Sequence, residues 1–220
     1  MEILSFRGRD ELDFMIELNP KDPSFEKNLL KNFEEGENLV FDYASLLNLS
    51  KMNLLGYLER LNKGIFISEK LFDKVQHELL QVEQEDLRNL WRFLRDSKAI
   101  QIVDNQQDPH RHLDVLVYDW LVESLNLAKN KKATFIIDDL RLLNFLITEE
   151  DIKAGNSFVI LKSLLTRGWI DAKVYATSLG DLAERFYTFL PFSGNDLFEI
   201  VMEDKAKFTS RSYHLVHQLF

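Results

Sequence analysis

The sequence predicts an α/β protein built on a mostly parallel sheet of about four or five strands. Short apolar runs alternate along the chain with longer amphipathic stretches, which is the pattern of strand–helix–strand units. Two of the apolar runs, residues 39–42 and 133–139, end in carboxylates. Because buried parallel strands are almost wholly apolar, an acid at the end of one lies at the carboxyl edge of the sheet, where α/β proteins bind ligands.

The first part of the chain is predicted to be an extension of this sheet domain. Apolar residues alternate with polar ones over residues 1–20, which indicates a hairpin or an edge strand that ends at Pro20 and Pro23. Residues 24–35 form a predicted amphipathic helix, and Gly36 is its expected stop.

Strands and helices are predicted to alternate from Leu39 onward. The predicted strands are residues 39–42, 64–67, 99–103 and 134–137. The predicted helices are residues 45–62 with a break near Gly56, 70–80, 83–97, 113–129, 139–146 and 156–166, and then a mostly helical tail over 178–220 that breaks at Pro191 and Gly194. This order implies parallel strands joined by right-handed crossovers.

Composition limits the classes of function. The chain has 220 residues, of which 45% are hydrophobic, and this is enough for one well-packed domain. It has no Cys, which excludes disulfides, a thiolate nucleophile and zinc sites built on Cys. With no signal peptide and no run of about 20 apolar residues, we expect a cytoplasmic protein without membrane contact. The net charge of −9 argues against broad adhesion to nucleic acid but allows a nuclease with a local site.

The acids at the strand ends predict a divalent metal site. Asp42 ends one run, and Asp138 and Asp139 end another. Carboxylates that share one crevice repel each other unless a cation neutralises them. The alternative is that these residues cap the loop or helix that follows each strand. Both roles are compatible if one Asp of the pair caps a helix and the other faces the crevice.

In their order and spacing these segments resemble the PIN domain, a family of metal-dependent ribonucleases that includes compact bacterial toxins of toxin–antitoxin pairs. Four segments carry the likeness: the opening strand, first Asp and helix at 39–55, the second strand and helix at 64–71, the helix and strand before the last Asp pair at 125–139, and the closing helix and turn at 155–170. The resemblance implies a three-layer PIN-like domain over 39–190, with residues 1–38 as an N-terminal extension and 191–220 as a helical tail.

The resemblance also implies a site of three or four carboxylates that holds Mg²⁺ or Mn²⁺ and acts on RNA. Asp42 carries over as the first metal ligand, and Asp139, with Asp138 beside it, as the last. A metal held by hard oxygen ligands keeps water-filled positions, activates water and stabilises charge on a phosphate.

The chain departs from the family at the two middle acids. The family's helical Glu aligns with Lys74, and Glu78, one turn further along, lies on the same helix face and is its candidate replacement. The family's third acid aligns with Leu121, and Asp119 or Glu123 is its candidate replacement.

These departures leave two main functions open. In the first, the chain is an active ribonuclease with Asp42, Glu78 and Asp139 as catalytic residues. The metal ligands would then be Asp42 and Asp139, with Asp138, Glu78, and either Asp119 or Glu123 completing the shell. In the second, it is a catalytically lapsed PIN-like module for protein interaction or regulation, whose partner would be another protein or a second copy of the chain. A third interpretation is an unrelated α/β protein with coincidental acids.

Overall fold

Strands and helices alternate along the described part of the chain. The structure, a computed structural model, describes residues 23–104, 118–139, 142–143, 152–184, 194–205, 207 and 209–217. In chain order the elements are α1 (Pro23–Glu35), β1 (Asn38–Phe41), α2 (Tyr43–Lys51), α3 (Leu55–Leu58) with a 3₁₀ turn (Glu59–Leu61), β2 (Gly64–Ser68), α4 (Glu69–Gln81), α5 (Glu85–Asp96), β3 (Ile100–Val103), α6 (Asp119–Asn130), β4 (Thr134–Ile136), β5 (Ala154–Gly155), α7 (Ser157–Thr166), α8 (Ala172–Glu184), α9 (Gly194–Glu203) and α10 (Ser210–His217).

The five strands form one all-parallel sheet in the order β3-β2-β1-β4-β5. Its centre is β1, in which the consecutive residues Leu39, Val40 and Phe41 are all fully buried. Successive side chains of a strand point to opposite faces, so helices must cover both faces of the sheet. The predicted α/β class, the parallel sheet and the three-layer arrangement are therefore confirmed.

Several elements differ from the prediction in their bounds or were not predicted. The helix expected over 45–62 begins at Tyr43 and breaks at 52–54, where Asn53 has a φ of +56°, rather than at Gly56. An Asn tolerates this left-handed backbone conformation, so the chain can turn there without a glycine. The helix expected from residue 113 begins at Asp119, because Tyr118 is extended and caps it. The fifth strand, β5, was not predicted as a separate element.

The C-terminal helices pack on one another. Helix α8 contacts both α9 and α10, and Ile200 and Leu215 are fully buried. The tail predicted over 178–220 is thus helical in its described part. The N-terminal hairpin predicted for residues 1–20 lies outside the described residues, as does most of the helix predicted over 139–146. None of the described helices has the length and apolar character needed to cross a bilayer.

Candidate functional site

The carboxyl edge of the sheet carries a row of polar residues. Strands β2 and β3 lie on one side of β1, and β4 and β5 lie on the other. The connection after β1 therefore runs to one side of the sheet, and the connection after β4 runs to the opposite side. Such a reversal of strand order opens a crevice at the carboxyl edge, the usual ligand site in α/β proteins. The residues at or just beyond the five strand ends are Asp42, Ser68, Asp104, Asp138 and Asn156.

Asp42 is held rigidly at this reversal point. Its side chain is 3% exposed, and Oδ1 accepts the backbone N–H of Ser45 at 2.7 Å, which caps α2. Its own N–H donates to Ile136 O at 2.9 Å, so the ends of β1 and β4 are joined. The Ser45 hydroxyl lies 3.0 Å from the same Ile136 carbonyl oxygen. The predicted capping role of Asp42 is therefore present, and it fixes the carboxylate in the crevice.

Neighbouring carboxylates act on the charge of Asp42. Burial raises the pKa of the Asp42 carboxyl to about 7, and the negative charge of Asp138 adds to this rise. The hydrogen bonds from Ser45 lower the pKa, and the charge of Asp139 raises it by a smaller amount. We call Asp42, Asp138 and Asp139 the edge carboxylates.

Asp138 connects two helices at the crevice. Its Oδ1 accepts the backbone N–H of Ser157 at 2.8 Å, in the first turn of α7, and its Oδ2 accepts Nδ2 of Asn48 on α2 at 2.6 Å. The N-terminus of α7 favours a negative charge at this position. Asn48 and Ser157 were not predicted as site residues. The available signal was their position in the sequence: Asn48 lies on the helix that follows Asp42, and Ser157 begins the helix that follows β5.

Asp139 caps a turn. Its Oδ1 accepts the N–H of Leu142 at 3.0 Å, and its carbonyl oxygen accepts the N–H of Leu143 at 2.8 Å. Asp139 is exposed, whereas Asp138 is partly buried and acts more strongly on Asp42. Of the two roles expected for this pair, Asp139 takes the capping role, and Asp138 is the partner of Asp42.

Glu78 belongs to a second group of side chains beside the crevice. Its Oε2 accepts a short hydrogen bond from the Tyr43 hydroxyl, and its Oε1 lies 2.5 Å from Nζ of Lys74. The Lys74 ammonium lies 4.7 Å from the centre of the Tyr43 ring. Burial, followed by the hydrogen bond and charge of Glu78, raises the pKa of the Tyr43 hydroxyl, so it remains a proton donor. Both carboxylate oxygens of Glu78 thus have partners within the protein.

Asp119 and Glu123 lie on α6 but differ in environment. Glu123 is 6% exposed, and its Oε2 accepts the backbone N–H of Lys70 at 3.1 Å, in the first turn of α4. Asp119 is exposed in the first turn of α6. Neither of them, nor Glu78, is among the groups that shift the pKa of Asp42. The structure therefore places Asp138 and Asp139 near Asp42, holds Glu78 and Glu123 in other contacts, and leaves Asp119 exposed.

Two of the edge carboxylates can serve as ligands of Mg²⁺ if water and substrate supply the others. Within the described ranges, no three Asp, Glu, His or Cys side chains converge closely enough to bind one ion together. Magnesium, however, is commonly bound by one or two carboxylates, with water and substrate phosphates filling its remaining positions. Asp42 and Asp138 provide such a pair, with oxygen ligands only and with mutual repulsion that a cation would relieve.

Comparisons with protein-family profiles, with curated proteins and with solved structures found no match for this chain.

Proposed function

We propose that the protein is a Mg²⁺- or Mn²⁺-dependent ribonuclease that hydrolyses RNA phosphodiester bonds in the cytoplasm, at the crevice between β1 and β4. The observation that carries this proposal is the burial of Asp42 next to Asp138 at the point where the strand order reverses. A buried carboxylate is costly to charge beside a second carboxylate, and a divalent cation at this edge would relieve the repulsion between Asp42 and Asp138.

The residues of the chain would have distinct roles in this enzyme. Asp42 and Asp138 would hold the ion, which would supply an activated water and stabilise negative charge on the phosphate. The Ser45 N–H fixes Oδ1 of Asp42, while Asn48 and the Ser157 N–H orient Asp138. Such orienting contacts keep the ligands in place before the substrate arrives. Asp139 adds negative charge at the rim, which attracts the cation.

A pair of carboxylates leaves most of the coordination sphere to water and phosphate. The proposal therefore predicts that the metal binds weakly by itself and more tightly together with RNA, because the substrate would complete the site. Two other predicted ligands, Glu78 and Glu123, would reach the metal only if their present contacts rearranged, and Asp119 would have to approach it from its exposed position on α6.

Cleavage assays with matched variants test the proposal. A single-stranded RNA would be incubated with Mn²⁺, Mg²⁺ or EDTA, and its cleavage measured for the wild type, Asp42→Asn and Asp138→Asn. We expect metal-dependent cleavage by the wild type and a loss of at least about a hundredfold in each variant. Asp181→Asn, the same acid-to-amide change on α8, is the control and should cleave normally. Equal cleavage by Asp42→Asn and the wild type would contradict the assignment.

A catalytically lapsed module for protein interaction or regulation is the second candidate. It is favoured by the ion pair between Lys74 and Glu78 and by Leu121, which is buried in the core where the family has an acid. This function predicts Mn²⁺ binding without cleavage, or no metal binding at all. It also predicts a partner, either another protein or a second copy of the chain, that co-purifies or forms a dimer in light scattering.

A further inference from the structure

Three aromatic side chains form a continuous chain of ring contacts from the surface to the start of α2. The rings of Tyr118 and Trp120 are stacked, with centroids 5.7 Å apart and an angle of 14° between their planes. Trp120 meets Tyr43 edge to face, with centroids 6.0 Å apart. Tyr43 directly follows Asp42 in the sequence, so this chain of rings ends at the residue next to an edge carboxylate. We call Tyr118, Trp120 and Tyr43 the aromatic shelf.

Polar contacts hold the aromatic shelf in position. The Tyr43 hydroxyl donates to Glu78, and the Lys74 ammonium lies 4.7 Å from the Tyr43 ring centre and 5.8 Å from that of Trp120. The carbonyl oxygen of Tyr118 accepts the N–H groups of the first turn of α6, at 2.8 and 3.2 Å. The inner rings are therefore fixed by hydrogen bonds and cation–π contacts, and the outer ring begins at a helix start.

The outer ring of the aromatic shelf is open to solvent. Tyr118 is 57% exposed while its ring is stacked with that of Trp120. More than half of the residue is therefore accessible. A flat aromatic surface that is already stacked on its inner side can accept another ring on its outer side without any rearrangement. The neighbouring charges of Lys74 and Glu78 neutralise each other and add no net repulsion.

We infer that Tyr118 is a stacking site for an unpaired nucleobase of single-stranded RNA whose backbone continues past Tyr43 to the edge carboxylates. This inference rests on the proposed ribonuclease function and adds to it a residue that binds a base outside the metal site. Bases of a duplex are stacked on each other and cannot reach the Tyr118 ring, whereas the bases of a single strand can. Stacking on an aromatic side chain also tolerates every base, because each has a π face.

A binding experiment without metal tests the inference separately from catalysis. A fluorescein-labelled oligouridine and an abasic oligonucleotide of the same length and charge would be titrated in EDTA, with binding followed by fluorescence anisotropy. The proteins are the wild type, Tyr118→Ala, Tyr118→Phe and, as an exposed tyrosine elsewhere, Tyr213→Ala, which is 54% exposed on α10. Thermal unfolding of each variant would check that it is folded.

The expected result is a loss of affinity that depends on both the ring and the base. Tyr118→Ala should bind oligouridine about tenfold more weakly than the wild type, and Tyr118→Phe and Tyr213→Ala should stay within about twofold of it. The abasic oligonucleotide should bind the wild type about tenfold more weakly than oligouridine, and it should bind Tyr118→Ala and the wild type equally.

Two results would overturn the inference. One is that Tyr118→Ala binds oligouridine as tightly as the wild type. The other is that the wild type binds the base-containing and abasic strands equally. Failure of the ribonuclease proposal has a different signature, namely no metal-dependent cleavage by the wild type while the dependence of binding on Tyr118 and on the base persists.

Discussion

Two groups of three carboxylates in this protein differ in how their charge is balanced. In the C-terminal helices, Asp181, Glu203 and Asp204 surround the guanidinium of Arg211 at 3.2, 3.5 and 3.2 Å. We call these four residues the Arg211 cluster. At the carboxyl edge of the sheet, the charges that act on the pKa of Asp42 are those of two further carboxylates, Asp138 and Asp139. One group thus contains its own cation, whereas Asp42 lies near two further carboxylates whose charges raise its pKa.

The Arg211 cluster and the edge carboxylates indicate different roles for the same types of residue. Arg211 is 17% exposed, donates to the carbonyl oxygen of Thr177 on α8, and so joins α8, α9 and α10. Gly180 permits this approach, because a Cβ there would lie 3.1 Å from Nε of Arg211. The Arg211 cluster is therefore a structural connection that solvent cations should not affect. The edge carboxylates, in contrast, should respond to protons and to divalent cations.

The largest expected difference concerns pH. In metal-free protein, the pKa of Asp42 lies near 7 in the folded state and near 3.8 when unperturbed, so the folded protein holds the proton more tightly. The resulting stability is fully present below about pH 4 and is lost as the pH rises through 7. The free energy of unfolding of Asp42→Asn should therefore exceed that of the wild type by up to roughly 4 kcal/mol at pH 8. At pH 4 the two free energies should differ little.

Denaturant unfolding in EDTA at several pH values measures this difference. Asp204→Asn in the Arg211 cluster is the control, and it should not be stabilised at pH 8, because its carboxylate balances a guanidinium. If the difference between Asp42→Asn and the wild type were the same at pH 4 and pH 8, the Asp42 carboxyl would have an ordinary pKa. The contrast between the two groups would then fail.

The next largest effect is expected on removal of the cation from the Arg211 cluster. Arg211→Met keeps much of the side-chain volume but leaves three carboxylates close together, so the free energy of unfolding should fall by about 2–3 kcal/mol. Arg88→Met is the matched control, since Arg88 is more exposed and pairs with exposed Glu83 at 3.0 Å. It should change stability by less than about 0.5 kcal/mol. Equal effects of the two substitutions in urea unfolding would show that Arg211 is no more than a surface residue.

The sheet was largely predictable because most of its strands are apolar runs in the sequence that are followed by polar residues. Apolar runs that stop at an acid or at Ser placed β1, β2, β3 and β4 within a residue or two. Strand β5 has only Ala154 and Gly155, which give no apolar run. Space is tight there, because a Cβ on Gly155 would lie 3.1 Å from Cδ1 of Ile136, which would have to shift slightly to admit it. Strand β5 is therefore recognisable from its pairing with β4 and not from its own sequence pattern.

The site was predictable only where a residue's position follows from its own element. Asp42 and the pair of Asp138 and Asp139 end strands, so they were found. Asn48 is 90 residues away from Asp138, and its contact depends on how α2 packs near β4. Lys74 and Glu78 form an ion pair at i and i+4. A shared helix face predicts that Glu78 can point toward the site, but it does not predict that this pair holds it.

A smaller effect is expected when a divalent cation is added. Mn²⁺ at ten to a hundred times its dissociation constant should raise the free energy of unfolding by about 1–3 kcal/mol, because it binds only the folded protein. Thermal unfolding with and without Mn²⁺ measures this shift. Asp138→Asn should abolish it, and Asp204→Asn should retain it. A shift that survives in Asp138→Asn but disappears in Asp204→Asn would reverse the roles of the two groups.

The smallest effect is expected at Glu78, and it decides whether this residue belongs with the edge carboxylates. Its oxygens are held by the Tyr43 hydroxyl and the Lys74 ammonium, so Glu78→Gln should change the Mn²⁺ dissociation constant by less than about twofold. Titration followed by calorimetry would measure it, with Asp138→Asn as the variant that should lose binding. A loss of about tenfold or more in Glu78→Gln would mean that Glu78 leaves Lys74 for the metal, as the resemblance to the PIN domain implies.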